Sequence, residues 1–404
     1  MSPANTERLY QALEKLNATD QLRQLPISPN QTLLNIASND YLGLGTDENL
    51  QAEFLASLET LPTRYIAMGA TSSRLLADDD EQLQCLETEL EDWFRLAIGI
   101  ELNNQKEEIS TSALVFNSGY HANSGILPAL TSLPINTLIL ADKLVHASII
   151  DGIQLSQSKH CQYRRYRHND YEQLATLIDK ATPDIERIII VTESIFSMDG
   201  DRADLARLVQ LKAVDSRIEL YVDEAHAVGV LGDTGLGLAE ETKTLGHIDY
   251  IIGTFGKAFA SVGAYLLCDG PTKQWLINRM RPLIFSTALP PINHAWTRFV
   301  LAKMPTFTEK RAHVARLSIR LQQAIENQNG CVSTTLPSRY QSPIIPYILG
   351  DNATAMAKAQ QLQQAGFYAR AVRPPTVPVN TARIRMVMTA ALNDQDIDRL
   401  IKQL

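Results

Sequence analysis

Lys257 stands in YIIGTFGKAFASVGAYLL (residues 250–267), a run of small and apolar residues that reads as a strand entering a turn. An ammonium group is strongly hydrated and is rarely buried without a partner or a task. Gly256, Ala258, Ala260 and Gly263 around it permit close approach by a ligand or a second backbone. A lysine partly withdrawn from water gives up its proton more readily and becomes an amine nucleophile, able to form a Schiff base with an aldehyde. The natural aldehyde is pyridoxal phosphate, and it makes further demands. Its ring nitrogen must stay protonated, which calls for a carboxylate such as Asp223 after IELYV. Its phosphate needs backbone N–H groups and hydroxyls at a helix N-terminus, which the NSGY turn (117–120) and Thr254 can supply. His146, after LILADKLV, can stack on the ring, and His226 can hydrogen-bond its phenolic oxygen. Ser197 follows IIIVTESIF. Taken singly, each has a structural explanation: a histidine beyond a strand is commonly a hydrogen-bonded framework residue, and Lys257 could be an exposed lysine at a helix start. Polar residues recurring at successive strand ends point instead to one shared site.

Two other motifs compete for attention. VDEAHAVG contains D-E-A-H after an apolar strand, as in a nucleic-acid-dependent ATPase, but such an enzyme also needs G-x-x-x-x-G-K-[ST]. The G-K pair here is Gly256-Lys257, followed by Ala258 and without a glycine five positions upstream. H-E-x-x-H is absent and the four cysteines form no C-x-x-C pair, so neither a metal site nor a disulfide framework is expected. YRRYRH (163–168) interleaves basic and aromatic residues, but Asp170 and Glu172 follow at once, and it reads as a solvated strand face rather than a nucleic-acid contact.

The elements that must position these groups are legible as a pattern. ALVF, NTLILA, RIIIVTE, IELYVDEA and DYIIGTF are short β-branched runs separated by helix-length segments, as in a parallel sheet covered on both faces. The class is α/β. DGDRADLARLVQLKA predicts a crossover helix with acidic residues at its N-terminal end. The proline-containing FSTALPPINHAW (285–296) interrupts the alternation, and three segments are expected: 1–45 N-terminal, 46–289 a large cofactor-binding domain, and 290–404 a smaller C-terminal α/β domain. ELNNQKEEIST (101–111) predicts a surface loop or hairpin. At 404 residues, 45% apolar and with a formal charge of -8, the chain can fill a large core and has no general attraction for nucleic acid or anionic lipid. Its opening residues lack the apolar core of a signal peptide and no apolar run is of bilayer-spanning length, so a cytoplasmic protein is expected.

SNDYLGL (38–44), NSGYHAN (117–123), FSMDGDRADL (196–205), VDEAHAVGVLG (222–232) and TFGKAFASVGA (254–264) resemble, in order, the motifs of the pyridoxal-phosphate-dependent α-oxoamine synthases. The resemblance runs from about residue 12 to the end. It implies a fold-type-I transferase, with a large, mainly parallel α/β/α domain and a smaller C-terminal α/β domain, working as a homodimer with the site at the subunit interface. RPPTVPVNTARIRMVMTAALNDQDIDRL (373–400) is most similar to members that join L-alanine to a pimeloyl thioester, carried by coenzyme A or acyl carrier protein; sister enzymes use glycine or serine. Carried over residue by residue, the resemblance makes Lys257, His146 and Asp223 catalytic. It assigns Gly119, Tyr120, Ser197, His226 and Thr254 to the cofactor, and Ser286 and Thr287 to the partner subunit's phosphate. Arg373 becomes a carboxylate clamp, with Thr376, Arg23 and His146 at the substrate. The chain departs from the family at GATSSR (69–74), where a glycine-rich GSGGSR-like stretch is usual, and at Leu83, where a histidine is frequent.

Overall fold

The computed structural model describes residues 3–23, 25, 33–77, 80–99, 111–156, 159–329 and 342–404. The predicted loop at 101–110 and Cys331 lie outside the described residues.

The chain divides into two units, one formed by residues 40–197 and 201–314, the other by 1–39, 198–200 and 315–404. The larger unit is built on a seven-stranded sheet: β1 (Thr111–Phe116), β2 (Thr137–Asp142), β3 (Cys161–Tyr166), β4 (Arg187–Glu193), β5 (Ile218–Asp223), β6 (Tyr250–Thr254) and β7 (Ala264–Asp269). The order is β1-β7-β6-β5-β4-β2-β3, with β7 antiparallel to both its neighbours and the other pairings parallel. β2, β4 and β6 are buried along their whole length, which is why they read as unbroken apolar runs. β3 is the exception. It lies at the sheet edge with Gln162 to Arg165 exposed, so the first half of the YRRYRH stretch is solvated, whereas Tyr166 is buried and His168, beyond the strand, is held between Asp142 and Asp201.

Helices α1 (Gly119–Thr131) and α2 (Ala147–Leu155) follow β1 and β2 and pack against each other. Their close approach depends on Gly152, where a Cβ would lie 2.3 Å from the Asn123 carbonyl oxygen. The predicted crossover helix forms over Leu205–Val214, capped by Asp204, whose side chain accepts from Arg207 N–H. The segment after Pro290 forms a helix over Pro291–Lys303 and a second over Thr308–Asn329, parted by a short turn containing Pro305.

In the smaller unit, Ala371–Val372, Ala382–Val387 and Ile344–Gly350 form an antiparallel three-stranded sheet in that order. Leu34–Asn35 pairs in parallel with Phe367–Tyr368, which ties the N-terminal segment to the C-terminal one. The closing helix, Asp394–Ile401, starts with a reciprocal capping box between Asn393 and Asp396. Among the described residues no helix is long and apolar enough to cross a membrane.

Candidate active site

In parallel α/β sheets, functional groups collect where strand carboxyl ends meet helix N-termini. Here β1, β2, β4, β5 and β6 deliver Gly119, His146, Ser197, Asp223 and Lys257 respectively, within or a few residues beyond each strand.

Asp223 is 6% exposed and doubly held: Asn123 Nδ2 donates to its Oδ2 at 2.8 Å and the Ala225 N–H to its Oδ1 at 2.9 Å. Asn123 is fixed in turn, accepting from the Tyr221 hydroxyl at 2.7 Å and donating to Ser148 Oγ at 3.0 Å. Every polar atom of that amide is thus committed to presenting one carboxylate. His226 is buried, its Nδ1 2.6 Å from the Tyr41 hydroxyl. His146 caps α2, its Nδ1 2.7 Å from Ser148 Oγ. Partial withdrawal from water lowers the His146 pKa and the Lys257 charge lowers it further, while Asp223 and Asp151 pull the other way. His146, Lys257 and Asp223 therefore lie within electrostatic range of one another, with a neutral imidazole favoured.

Lys257 sits on the connection from β6 to β7, where Ala260 N–H bonds back to the Lys257 carbonyl at 2.9 Å and Ser261 N–H to Phe255 O at 2.8 Å. Thr254 Oγ1 donates to Gly263 O at 3.1 Å and accepts from Gly256 N–H at 3.2 Å. Gly119 and Tyr120 open α1, whose cap Ser118 accepts from His121 N–H at 3.2 Å, and a Cβ on Gly119 would stand 4.0 Å from Thr254 Oγ1. A helix N-terminus beside a hydroxyl suits a phosphate. Ser197 is half-buried in a turn. Ser286 donates to Pro282 O, and Thr287 is exposed, its carbonyl accepting from Asn117 Nδ2 at 2.6 Å.

In the smaller unit, Arg23 and Thr376 meet side chain to side chain at 2.8 Å. The Arg373 guanidinium engages the Asp20 carbonyl and Met356 Sδ.

Residue spacing did not point to Asn123, Tyr41 or Glu193. Asn123 and Tyr41 lay within quoted motifs, NSGYHAN and SNDYLGL, but without a role. Glu193 ends β4 directly opposite Asp223 and is 2% exposed. Burial and the Asp223 charge push its carboxyl well above the usual range, opposed by Lys257 and by the His146 backbone N–H. A carboxyl closing the strand after the apolar run of residues 188–191 was the available signal.

An amine, a clamped buried carboxylate, an imidazole and a helix N-terminus at the carboxyl end of one sheet are the groups that pyridoxal phosphate requires, and they fit it. Residues 31–404 match the model of the aminotransferase class I and II family, and the chain belongs to that family. A Haemophilus influenzae (strain 86-028NP) protein recorded as "putative 8-amino-7-oxononanoate synthase" is 48% identical over 97% of this chain and 98% of its own length. Among solved structures, a Sphingomonas wittichii serine palmitoyltransferase superposes with TM-score 0.81 at 27% identity, covering 99% of this chain and 96% of that one. A Francisella tularensis 8-amino-7-oxononanoate synthase superposes with TM-score 0.70 at 25% identity, covering 92% and 96%. Within the family the chain is therefore an α-oxoamine synthase, with the type I fold of pyridoxal-phosphate transferases, pyridoxal phosphate as cofactor, and C-acyl transfer as its activity.

Proposed function

We propose that this enzyme is an 8-amino-7-oxononanoate synthase. It condenses L-alanine with a pimeloyl thioester of coenzyme A or acyl carrier protein, releasing carbon dioxide and the thiol carrier, as a cytoplasmic homodimer. The observation that carries this is the 48% identity, along 97% of the chain, to relatives recorded under that name.

Pyridoxal phosphate, when bound, supplies an aldehyde and a cationic ring that withdraws electrons from the substrate Cα. Asp223 would pair with the ring nitrogen, its carboxylate held in place by the Asn123 and Ala225 donors. The Lys257 amine removes the alanine Cα proton and later returns one. His146 would stack on the ring, and His226, steadied by Tyr41, would hydrogen-bond its phenolic oxygen. The Gly119 and Tyr120 backbone, Ser197 and Thr254 hold the cofactor, while Ser286 and Thr287 reach the phosphate of the partner subunit. Arg373 clamps a carboxylate with the two-pronged geometry only guanidinium offers, beside Arg23 and Thr376. A second possibility, glycine or serine in place of alanine, is favoured by the serine palmitoyltransferase superposition. One methyl group is worth only about 1 kcal/mol in a pocket.

The test offers purified holoenzyme L-alanine, glycine and L-serine with a panel of acyl thioesters and records carbon dioxide release. Turnover of alanine with the pimeloyl thioester is expected to dominate; turnover confined to glycine or serine refutes the assignment.

A further inference from the structure

Glu193 and Asp223 are direct partners in the parallel register of β4 and β5. Their side chains leave the same face of the sheet, at about the 5 Å strand spacing. Both are buried, at 2% and 6% exposure. Two carboxylates so placed do not both ionise, and their surroundings decide which keeps the proton. Asp223 accepts two good hydrogen bonds, from Asn123 and Ala225. Glu193 receives the His146 backbone N–H, but its Oε1 is buried and has no hydrogen-bond partner among the described residues. A bare buried oxygen is a poor place for a negative charge and a good place for a proton.

We propose that Glu193 is a positioning residue that stays protonated, so that the pair bears one negative charge, located on Asp223, and that its carboxyl ties the backbone of His146 to the end of β4. This rests on Asp223 being the counter-ion of the cofactor ring. The charged groups that face Glu193 are Asp223, Asp142 and Lys257. The two aspartates disfavour its ionised form and Lys257 favours it, with burial tipping the balance toward the acid. One anion matches one pyridinium. A second would stand uncompensated and would hold the proton on Lys257, whose amine the reaction needs.

The test is infrared difference spectroscopy of wild type against E193Q, on the protein with and without cofactor, near neutral pH. The wild type should show the carbonyl stretch of a protonated carboxyl that is missing from E193Q in both forms. If the band lost is instead that of a carboxylate anion, the proposal is overturned. E193M, of similar length but without the carboxyl, gives the same comparison if E193Q does not fold. A second readout is the pH titration of the visible absorbance of the cofactor bound to Lys257. Its midpoint should move by less than about 0.3 units in E193Q, whereas loss of a real negative charge lowers it by about one unit or more. A wild type that stays colourless with pyridoxal phosphate would sink the cofactor assignment alone, because the infrared comparison needs no cofactor.

Discussion

Replacing His168 by glutamine removes a positive charge held between two carboxylates. Nδ1 lies 2.9 Å from Asp142 Oδ1 and Nε2 lies 2.6 Å from Asp201 Oδ2, with the ring edge-on to Phe196 at 4.4 Å. Burial alone would lower the imidazole pKa, but the two aspartates outweigh it and raise it to about 10. A histidine whose folded pKa exceeds the ordinary 6.5 stabilises the fold fully below about pH 6.5, and that contribution is lost as pH rises through about 10. At about 1.4 kcal/mol per unit the whole shift is worth about 5 kcal/mol. With the side chain 25% exposed, about 4 kcal/mol is a fairer figure. An unfolding entropy of about 0.8 kcal/mol/K for 404 residues turns this into a fall of about 5 °C in Tm. The assay is thermal unfolding of wild type and H168Q at one scan rate, near pH 6, 8 and 10, since a chain of this size often unfolds irreversibly. The gap should be full at about pH 6, roughly half as large at about pH 8, and close to nothing at about pH 10, where the imidazole is giving up its proton in the folded chain as well. A gap of equal size at all three would refute the ionic clamp and leave only packing.

Four further outcomes follow from the geometry. Glu224 is fully buried, accepts the N–H groups of Leu238 at 3.0 Å and Ala239 at 2.7 Å, and burial pushes its pKa up to about 7. For a carboxyl raised above its ordinary 4.5, the folded chain holds a proton the unfolded chain lacks, so stability should fall by about 3 kcal/mol as pH rises from about 4.5 to 7; E224Q should flatten that slope in urea titrations. Thr71 holds φ at +56°, a left-handed conformation awkward for a β-branched residue, so T71G should raise the urea midpoint by about 1 kcal/mol equivalent, and a lowered midpoint would contradict this. G152A should force α2 off α1 at Asn123, costing about 1–3 kcal/mol and weakening cofactor binding in a spectroscopic titration. R373K should raise the KM for the amino acid about tenfold or more while leaving the absorbance of the bound cofactor unchanged.

The strands that carry Asp223, Lys257 and His146 were legible because a two-sided sheet needs unbroken apolar runs, and a polar residue ending such a run stands out. β2, β4, β5 and β6 each coincide with a run picked out by pattern. What periodicity could not supply was register. That Glu193 faces Asp223 depends on how β4 and β5 pair, and one residue of slip would put the two carboxyls on opposite faces. The Asn123 clamp depends on how closely α1 and α2 approach, which Gly152 permits but does not announce. The Thr71 departure was visible as a missing glycine, yet its meaning lies in a dihedral angle. The engagement of Arg373 by the Asp20 carbonyl joins residues 353 apart in sequence, beyond the reach of any local pattern.

The site also poses a problem of charge, since Asp142, Glu193, Asp223 and Glu224 all lie at strand carboxyl ends and all are buried. Left alone, four such anions would repel one another and be costly to desolvate. Each is compensated differently. Asp142 is paired with the His168 cation and also receives the Asn169 N–H at 2.9 Å. Glu224 receives two N–H groups at the start of a short helix, in a turn where Gly237 has no Cβ to strike its carboxylate. Glu193 keeps its proton. Asp223 is held by two neutral donors, the Asn123 side-chain amide and the Ala225 N–H, with no protein cation hydrogen-bonded to it among the contacts that hold it. Neutral donors fix the direction of a carboxylate without cancelling its charge, so the field of Asp223 remains available to a cationic ring. On this view Asn123 matters as much as the aspartate it holds. Exchanging it for aspartate, which has nearly the same shape, should cost more cofactor affinity than exchanging it for alanine, because a second anion would take the place of a donor. Equal losses in the two variants, measured by cofactor titration, would show that Asn123 serves packing and not the placement of charge.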